Sequence, residues 1–386
     1  MTNFICKIEM FLETALVGGG VGGSPNCEKA TKISSPHETN FNFKKYTFQP
    51  YHFFNDMTLQ DHLNDKSNII LLFTTRLTNE LIEFWNDDYN FECSLRLLND
   101  LSLQQKISSI TKNPNLQQQR FKYKQLLSNL FIRYTINSII QSNDLFKKIE
   151  FDYNEFGKPI LPYNFQFNIS SSNDIIALIV EFPSSSSLSS SSSSSSSLSG
   201  DRAYDPIGID LSHSIQNSIS NTEYLEQFKP IFDDVYELPQ IDNYFKFNHF
   251  WTLKESFTKL IGSGLNIELS DFYFIVNYND NEFSSDNEKF QTSVVGNNIG
   301  DSWMYYSLNW FDKILINIDK LELAKNQFIT ALNKKEFYCR SSILDNGNVD
   351  ESKLPVIITI INQNKNKSIQ PIELRFEKLL SEHLNQ

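Results

Sequence analysis

Hydrophobic positions along this chain change their period several times, and each change marks an element. Residues 68–75 form a continuous apolar run of strand length, the pattern of a strand covered on both faces. Helical spacing follows over about 76–110 and again over 118–142. In the second stretch Tyr123, Leu127, Leu130, Phe131 and Tyr134 make one stripe, with Arg120, Lys122, Lys124 and Arg133 in or beside it. Ile149, Phe151 and Tyr153 then alternate, and residues 154–157 carry turn residues. Further strands are predicted over 165–170, 174–182 and 206–211. Residues 221–262 read as mainly helical. Strand candidates recur at 272–276, 304–310, 314–318, 327–332 and 356–361, and residues 371–384 mix a short strand with a closing helix.

The sharpest helical pattern lies near the middle of the chain. Phe250, Leu253, Phe257, Leu260 and Ile261 fall on one apolar face. Trp251, Glu255 and Lys259, each four residues apart, share another. Gly262 and Gly264 follow as stop signals, because glycine tolerates the left-handed backbone of a helix end. Glu255 and Lys259 can act on one ligand from adjacent turns, or they can form an ordinary surface ion pair.

The element order predicts an α/β (α+β) fold of two similar α/β subdomains in a pseudo-twofold arrangement, over 66–183 and 205–386. Residues 1–65 are irregular, and we expect them to be partly disordered. Their Gly18-Gly-Gly-Val-Gly-Gly23 tract lacks the strand and the Lys-Ser/Thr of a phosphate loop. Between the halves, 184–204 is dominated by serine and is predicted to be a solvated, disordered loop.

Composition sharpens this picture. Aromatic residues make up 13% of the 386 residues, with 32 Phe, enough to fill a sizeable core. The net charge of −12 argues against non-specific nucleic-acid binding, while leaving room for a local basic pocket. The cysteines at 6, 27, 93 and 339 are scattered, without a CxxC pair, so neither a disulfide framework nor a zinc site is expected. Lys7, Glu9 and Glu13 break the apolar run near the start, and no 18-residue apolar stretch exists. A cytoplasmic protein with no membrane partner is the expectation.

Four short segments carry chemistry. Gly157-Lys158-Pro159 lies in a turn between strands. Phe167-Asn168-Ile169-Ser170 ends a strand. Ile207-Gly208-Ile209-Asp210 places a carboxylate at the end of another. The helix carries Trp251-x-x-Lys254-Glu255-Ser256-Phe257-x-Lys259-x-x-Gly262. In order and spacing, the four resemble the 4′-phosphopantetheinyl transferases of the larger, pseudo-dimeric type. The likeness runs over about 66–386. It is greatest to the eukaryotic enzymes that prime fatty-acid-synthase and aminoadipate-reductase carrier domains.

That resemblance implies transfer of 4′-phosphopantetheine from coenzyme A to a serine of an acyl, polyketide or aminoadipate carrier domain, releasing 3′,5′-ADP. It implies Mg²⁺ held by Asp210 and Glu255, with Glu255 and Lys259 as the catalytic pair. Elementary chemistry agrees, since splitting a pyrophosphate needs charge neutralisation and positioning more than covalent help. For the donor the resemblance points to Gly157, Lys158, Pro159, Asn168, Ser170 and Ser171, with Asp210 and Lys259. It adds Lys106 and Arg120 for a phosphate, although either could equally lie on a solvated helix face. A monomer suffices if the site lies between the halves.

Two positions depart from the family. Ser171 stands where a histidine is usual, and Ser212 where bacterial members carry a glutamate; nearby His213 reads as a loop residue. The bland alternatives are that Asp210 caps a turn and Lys259 is a solvated partner of Glu255. The functional alternative is a catalytically weakened protein that binds coenzyme A or carrier domains.

Overall fold

The structure is a computed structural model that describes residues 68–110, 116–183, 205–213, 223–264, 266–278, 293–294, 303–344 and 356–384. The first 65 residues and the serine-rich 184–204 segment lie outside the described residues. The first half contains β1 (Ile69–Arg76), helices α1 (Asn79–Asn86), α2 (Asp88–Arg96), α3 (Leu101–Ser109) and α4 (Leu116–Ile139), then β2 (Asp152–Tyr153), β3 (Pro159–Ile160), β4 (Gln166–Ser172) and β5 (Ile175–Glu181). There follow β6 (Gly208–His213), α5 (Glu223–Phe228), α6 (Tyr244–Ile261), β7 (Tyr273–Val276), β8 (Ser293–Val294), β9 (Trp303–Ser307) and β10 (Ile314–Asn317). The chain ends with α7 (Asp319–Leu323), α8 (Gln327–Thr330), β11 (Tyr338–Leu344), β12 (Val356–Asn362), β13 (Ser368–Leu374) and α9 (Phe376–Leu384).

Strands with continuous apolar runs sit at the centre. β1, β5 and β12 are covered on both faces, as such runs require. A six-stranded sheet runs β4-β5-β1-β13-β9-β8, and a three-stranded sheet runs β11-β12-β6. Alternate residues of β1 and β5 separate two cores. Leu71, Phe73, Leu178 and Val180 pack under α1–α4 and α9, whereas Ile70, Leu72, Ala177 and Ile179 meet Ile209, Leu211, Ile358 and Ile360 of the smaller sheet. On the far side of that sheet, Ile357 and Ile361 join Phe250, Leu253 and Phe257 of α6. The layers are therefore helices, sheet, sheet and α6, an α+β architecture.

The chain's last elements return to the first half. β13 pairs in parallel with β1, and Phe376 at the start of α9 packs its ring edge-on against Phe131 and Tyr134 of α4. Residues 368–384 thus pack against β1 and α4 of the first half. The α4 stripe is buried throughout, and Arg133 is buried with it, bonded to the Leu98 carbonyl and 3.6 Å from Asp100.

Three local expectations need correction. Residues 327–332 form a helical turn rather than a strand: the Asn326 carboxamide accepts the Phe328 N–H at 3.0 Å and starts α8. The alternation at 149–153 yields only the two-residue β2. His213 is the last residue of β6, paired with Val356, and not part of a loop. Among the described residues no helix is long and apolar enough to cross a membrane.

Among the described glycines, Gly208 leaves the least room, where β6 runs under α6. A Cβ on Gly208 would fall 2.0 Å from the Ser256 carbonyl oxygen and 2.8 Å from the Leu260 nitrogen, both backbone atoms that cannot move aside. Gly208→Ala should therefore cost at least about 2–3 kcal/mol in denaturant unfolding. A stability unchanged from wild type would show that the helix can lift off the strand freely.

Candidate active site

Helix α6 is fixed at both ends. Asn243 caps its start, accepting the Lys246 N–H at 2.9 Å, and Gly262 ends it in the left-handed conformation at φ 71°. Small hydroxyls let the helix approach the sheet closely. Ser256 donates to the Thr359 carbonyl at 3.0 Å, and the Thr252 and Thr359 hydroxyls meet at 2.8 Å. The network continues through Ser341 to His249, whose Nε2 lies 2.9 Å from the Ser341 hydroxyl and whose Nδ1 lies 2.6 Å from the Tyr278 hydroxyl.

The opposite flank of α6 is anchored by charge. Lys254 and Glu237 form a 2.9 Å pair with no exposed side-chain surface. The ammonium also donates to the carbonyls of Leu269 and Phe272, and the carboxylate accepts backbone N–H groups of Asp233 and Phe274. Full pairing of this kind is what allows a charge to be buried. Lys254 therefore serves the position of the helix. Its partner Glu237 has no local signal in the sequence.

The C-terminal end of α6 reaches the first half. Asp210, on β6, is only 6% exposed. Its Oδ1 accepts from Lys259 Nζ at 2.6 Å and from the Ser170 hydroxyl at 2.9 Å, and Lys259 also reaches the Ser170 oxygen at 3.1 Å. β6 is an edge strand, and Ser170 accepts the Leu211 N–H at 3.1 Å on its free side. Three of the four sequence motifs thus converge on one carboxylate. Glu255, half-buried, sits one turn before Lys259 on the same helix face.

No family model matches the chain. Over 209 residues it is 25% identical to the 4′-phosphopantetheinyl transferase gsp of Aneurinibacillus migulanus, covering 53% of this chain and 76% of that protein. It is 28% identical over 189 residues to the L-aminoadipate-semialdehyde dehydrogenase-phosphopantetheinyl transferase of Saccharomyces cerevisiae, covering 48% and 60%. It is 29% identical over 152 residues to the 4′-phosphopantetheinyl transferase ffp of Bacillus subtilis, covering 39% and 57%. The chain is similar to the 4′-phosphopantetheinyl transferases. It spans less than two thirds of the length of the second and third of these relatives.

The remaining positions singled out by the transferase motifs fall as follows. Lys158 donates to the carbonyls of Lys259 and Leu260, each at 2.9 Å, and Asn168 reaches the Lys259 carbonyl at 3.3 Å. Gly157 holds φ 84° in the preceding turn, and Pro159 opens β3. Strand alternation puts Ser171 on the face of Phe167 and Ile169, away from Asp210. Ser212 donates to the Asn248 side chain of α6 at 2.7 Å. Arg120 pairs with Asp174 at 2.5 Å, and Lys106 is exposed on α3. The transferase motifs include none of Ser172, Lys124 or Asp174, which surround His213 and Arg120 at the end of β4. There Ser172 lies 3.2 Å from His213 Nδ1 and Lys124 donates to the Asn173 carbonyl. Burial, with the Lys124 charge beside it, holds His213 below the usual histidine range.

Among the described residues no three His, Cys, Asp or Glu side chains cluster to hold a metal. The donor set nonetheless fits Mg²⁺, which is usually bound through one or two carboxylates together with water and substrate phosphates. Both hydrogen bonds described for Asp210 fall on Oδ1, which leaves Oδ2 as the oxygen for a cation.

The network beneath α6 predicts a pH dependence. Burial pushes His249 down to about 3, so it stays neutral in the folded chain while an unfolded histidine titrates near 6.5. The unfolded state then binds the extra proton between those values, and stability falls as pH drops from about 6 to 4. His249 should contribute a slope of about 1.4 kcal/mol per pH unit there. Denaturant unfolding of wild type and His249→Gln at several pH values should show that slope lost in the variant. Parallel curves would contradict a buried neutral imidazole.

Proposed function

We propose that this protein transfers the 4′-phosphopantetheine group of coenzyme A to a serine of an acyl, polyketide or aminoadipate carrier domain, releasing 3′,5′-ADP. The observation that carries the proposal is the convergence of Lys259 and Ser170 on buried Asp210, from separate elements that each bear one of the motifs. The carrier domain would belong to fatty-acid, polyketide or lysine metabolism; the name of the Saccharomyces cerevisiae relative ties that protein to L-aminoadipate-semialdehyde dehydrogenase.

Asp210 and Glu255 would hold Mg²⁺, which supplies neutralisation of the donor's pyrophosphate. The carrier serine attacks the β-phosphorus of that pyrophosphate. The bond from this phosphorus to the bridging oxygen breaks, and the electron pair leaves with 3′,5′-ADP. Glu255 takes the serine proton. Lys259, kept on Asp210 and Ser170, sets a positive charge beside the phosphate oxygens as charge develops. Ser170 and the backbone of the 157–159 turn line the donor's side, with Lys106 and Arg120 toward its remaining phosphate. The pseudo-twofold arrangement of two α/β units would place this site between them, so a monomer in the cytoplasm would be competent.

Purified protein with coenzyme A, Mg²⁺ and an apo carrier domain should raise the carrier's mass by one phosphopantetheine. Glu255→Gln should lower the rate by about 10²-fold or more with an unchanged melting temperature. Coenzyme A binding without any transfer across several carriers would contradict the proposal. Full activity in Glu255→Gln would remove the role given to that carboxylate.

A further inference from the structure

The last turn of α6 is held from outside the helix. The final carbonyls of a helix have no partner within it, and they form the negative end of its dipole. Here the ammonium of Lys158 donates to two of them, those of Lys259 and Leu260. Asn168 of β4 adds a second donor to the Lys259 carbonyl, and its amide also reaches the Ile207 carbonyl at 3.4 Å. Asn154 donates to the Gly262 carbonyl at 3.3 Å.

The turn that presents these donors is itself locked. The Asn154 side-chain oxygen accepts the N–H groups of Phe156 at 3.0 Å and Lys158 at 2.7 Å. The Phe156 ring meets Phe328 edge-on, with centroids 4.5 Å apart. The Lys158 stem packs where a Cβ on Gly262 would stand, 2.8 Å from its Cδ. An ammonium turned inward on two carbonyls is badly placed to neutralise a phosphate.

We infer that Lys158 and Asn168 are positioning residues that clamp the backbone of Lys259, so that its side chain stays on Asp210 and Ser170. The phosphate-binding role suggested by the motif then passes from Lys158 to other cations. Lys259 is held at both ends: its carbonyl by the first half's turn and β4, its ammonium by β6 and β4. The kinetic and affinity arms of the following test rest on the transferase proposal, and the acylation arm does not.

Lys158→Met and Asn168→Ala are compared with wild type in the full-length chain. Acylation of Lys259 by an amine-reactive reagent, read by mass spectrometry against exposed Lys106, should rise about fivefold or more in both variants. The dissociation constant for coenzyme A should stay within about threefold of wild type. The kcat for transfer should drop about tenfold to a hundredfold at a nearly constant KM for coenzyme A. If Lys158→Met does not fold, Asn168→Ala reads the same carbonyl with a milder deletion. Unchanged Lys259 acylation would overturn the inference, as would coenzyme A affinity about tenfold or more weaker in Lys158→Met with kcat retained. Wild-type protein without transfer would sink the transferase proposal alone, because the acylation arm still decides this one.

Discussion

A carboxylate as deeply buried as Asp210 needs partners, and it receives both of its described ones from other elements of the fold. Lys259 comes from the C-terminal turn of α6, and Ser170 from β4 in the other sheet. The geometry of the site therefore depends on how these elements pack. Gly208 is the condition for that packing on one side, because only a residue without a Cβ lets β6 pass under Ser256 and Leu260. On the other side the condition is the facing of the two sheets through Ile70, Leu72, Ala177 and Ile179. Breaking either contact would leave a buried charge with fewer partners, a loss larger than that of a surface ion pair.

The helix that delivers Glu255 and Lys259 is correspondingly stiff. Its middle is pinned by the hydroxyls of Thr252 and Ser256, and its flank by the fully buried Lys254–Glu237 pair. Its end is closed by donors from the first half. The polar face of α6 is thereby aimed rather than loosely solvated. Lys259 spends its ammonium on Asp210 and Ser170.

Much of this was legible in the sequence where the pattern is local. The runs of β1 and β12, the α4 stripe and the apolar face of α6 each report burial directly through their periodicity. The order of the motifs foreshadowed Asp210, Ser170 and Lys259 in one place. Long-range pairing was not legible. Glu237 is unremarkable in sequence, and its value lies in meeting Lys254 after folding. β11 mixes Arg340 and serines with apolar residues, because one of its serines serves the network beneath α6, so it shows no clean alternation. The return of β13 to β1 is a topological choice that no local pattern encodes. Residues 327–332 carry the β-favouring Phe328, Ile329 and Thr330, yet the Asn326 cap decides their conformation. The resemblance gave Lys158 to the donor, while its ammonium sits on the carbonyls of α6.

The central claim is that Asp210 and its neighbours address a metal-bound pyrophosphate. Titration of coenzyme A into the protein with and without Mg²⁺ tests it most directly. The account predicts that Mg²⁺ tightens binding about tenfold or more in wild type, and that Asp210→Asn loses this increment while remaining folded. Equal affinity with and without Mg²⁺ in wild type, or an undiminished Mg²⁺ effect in Asp210→Asn, would contradict it.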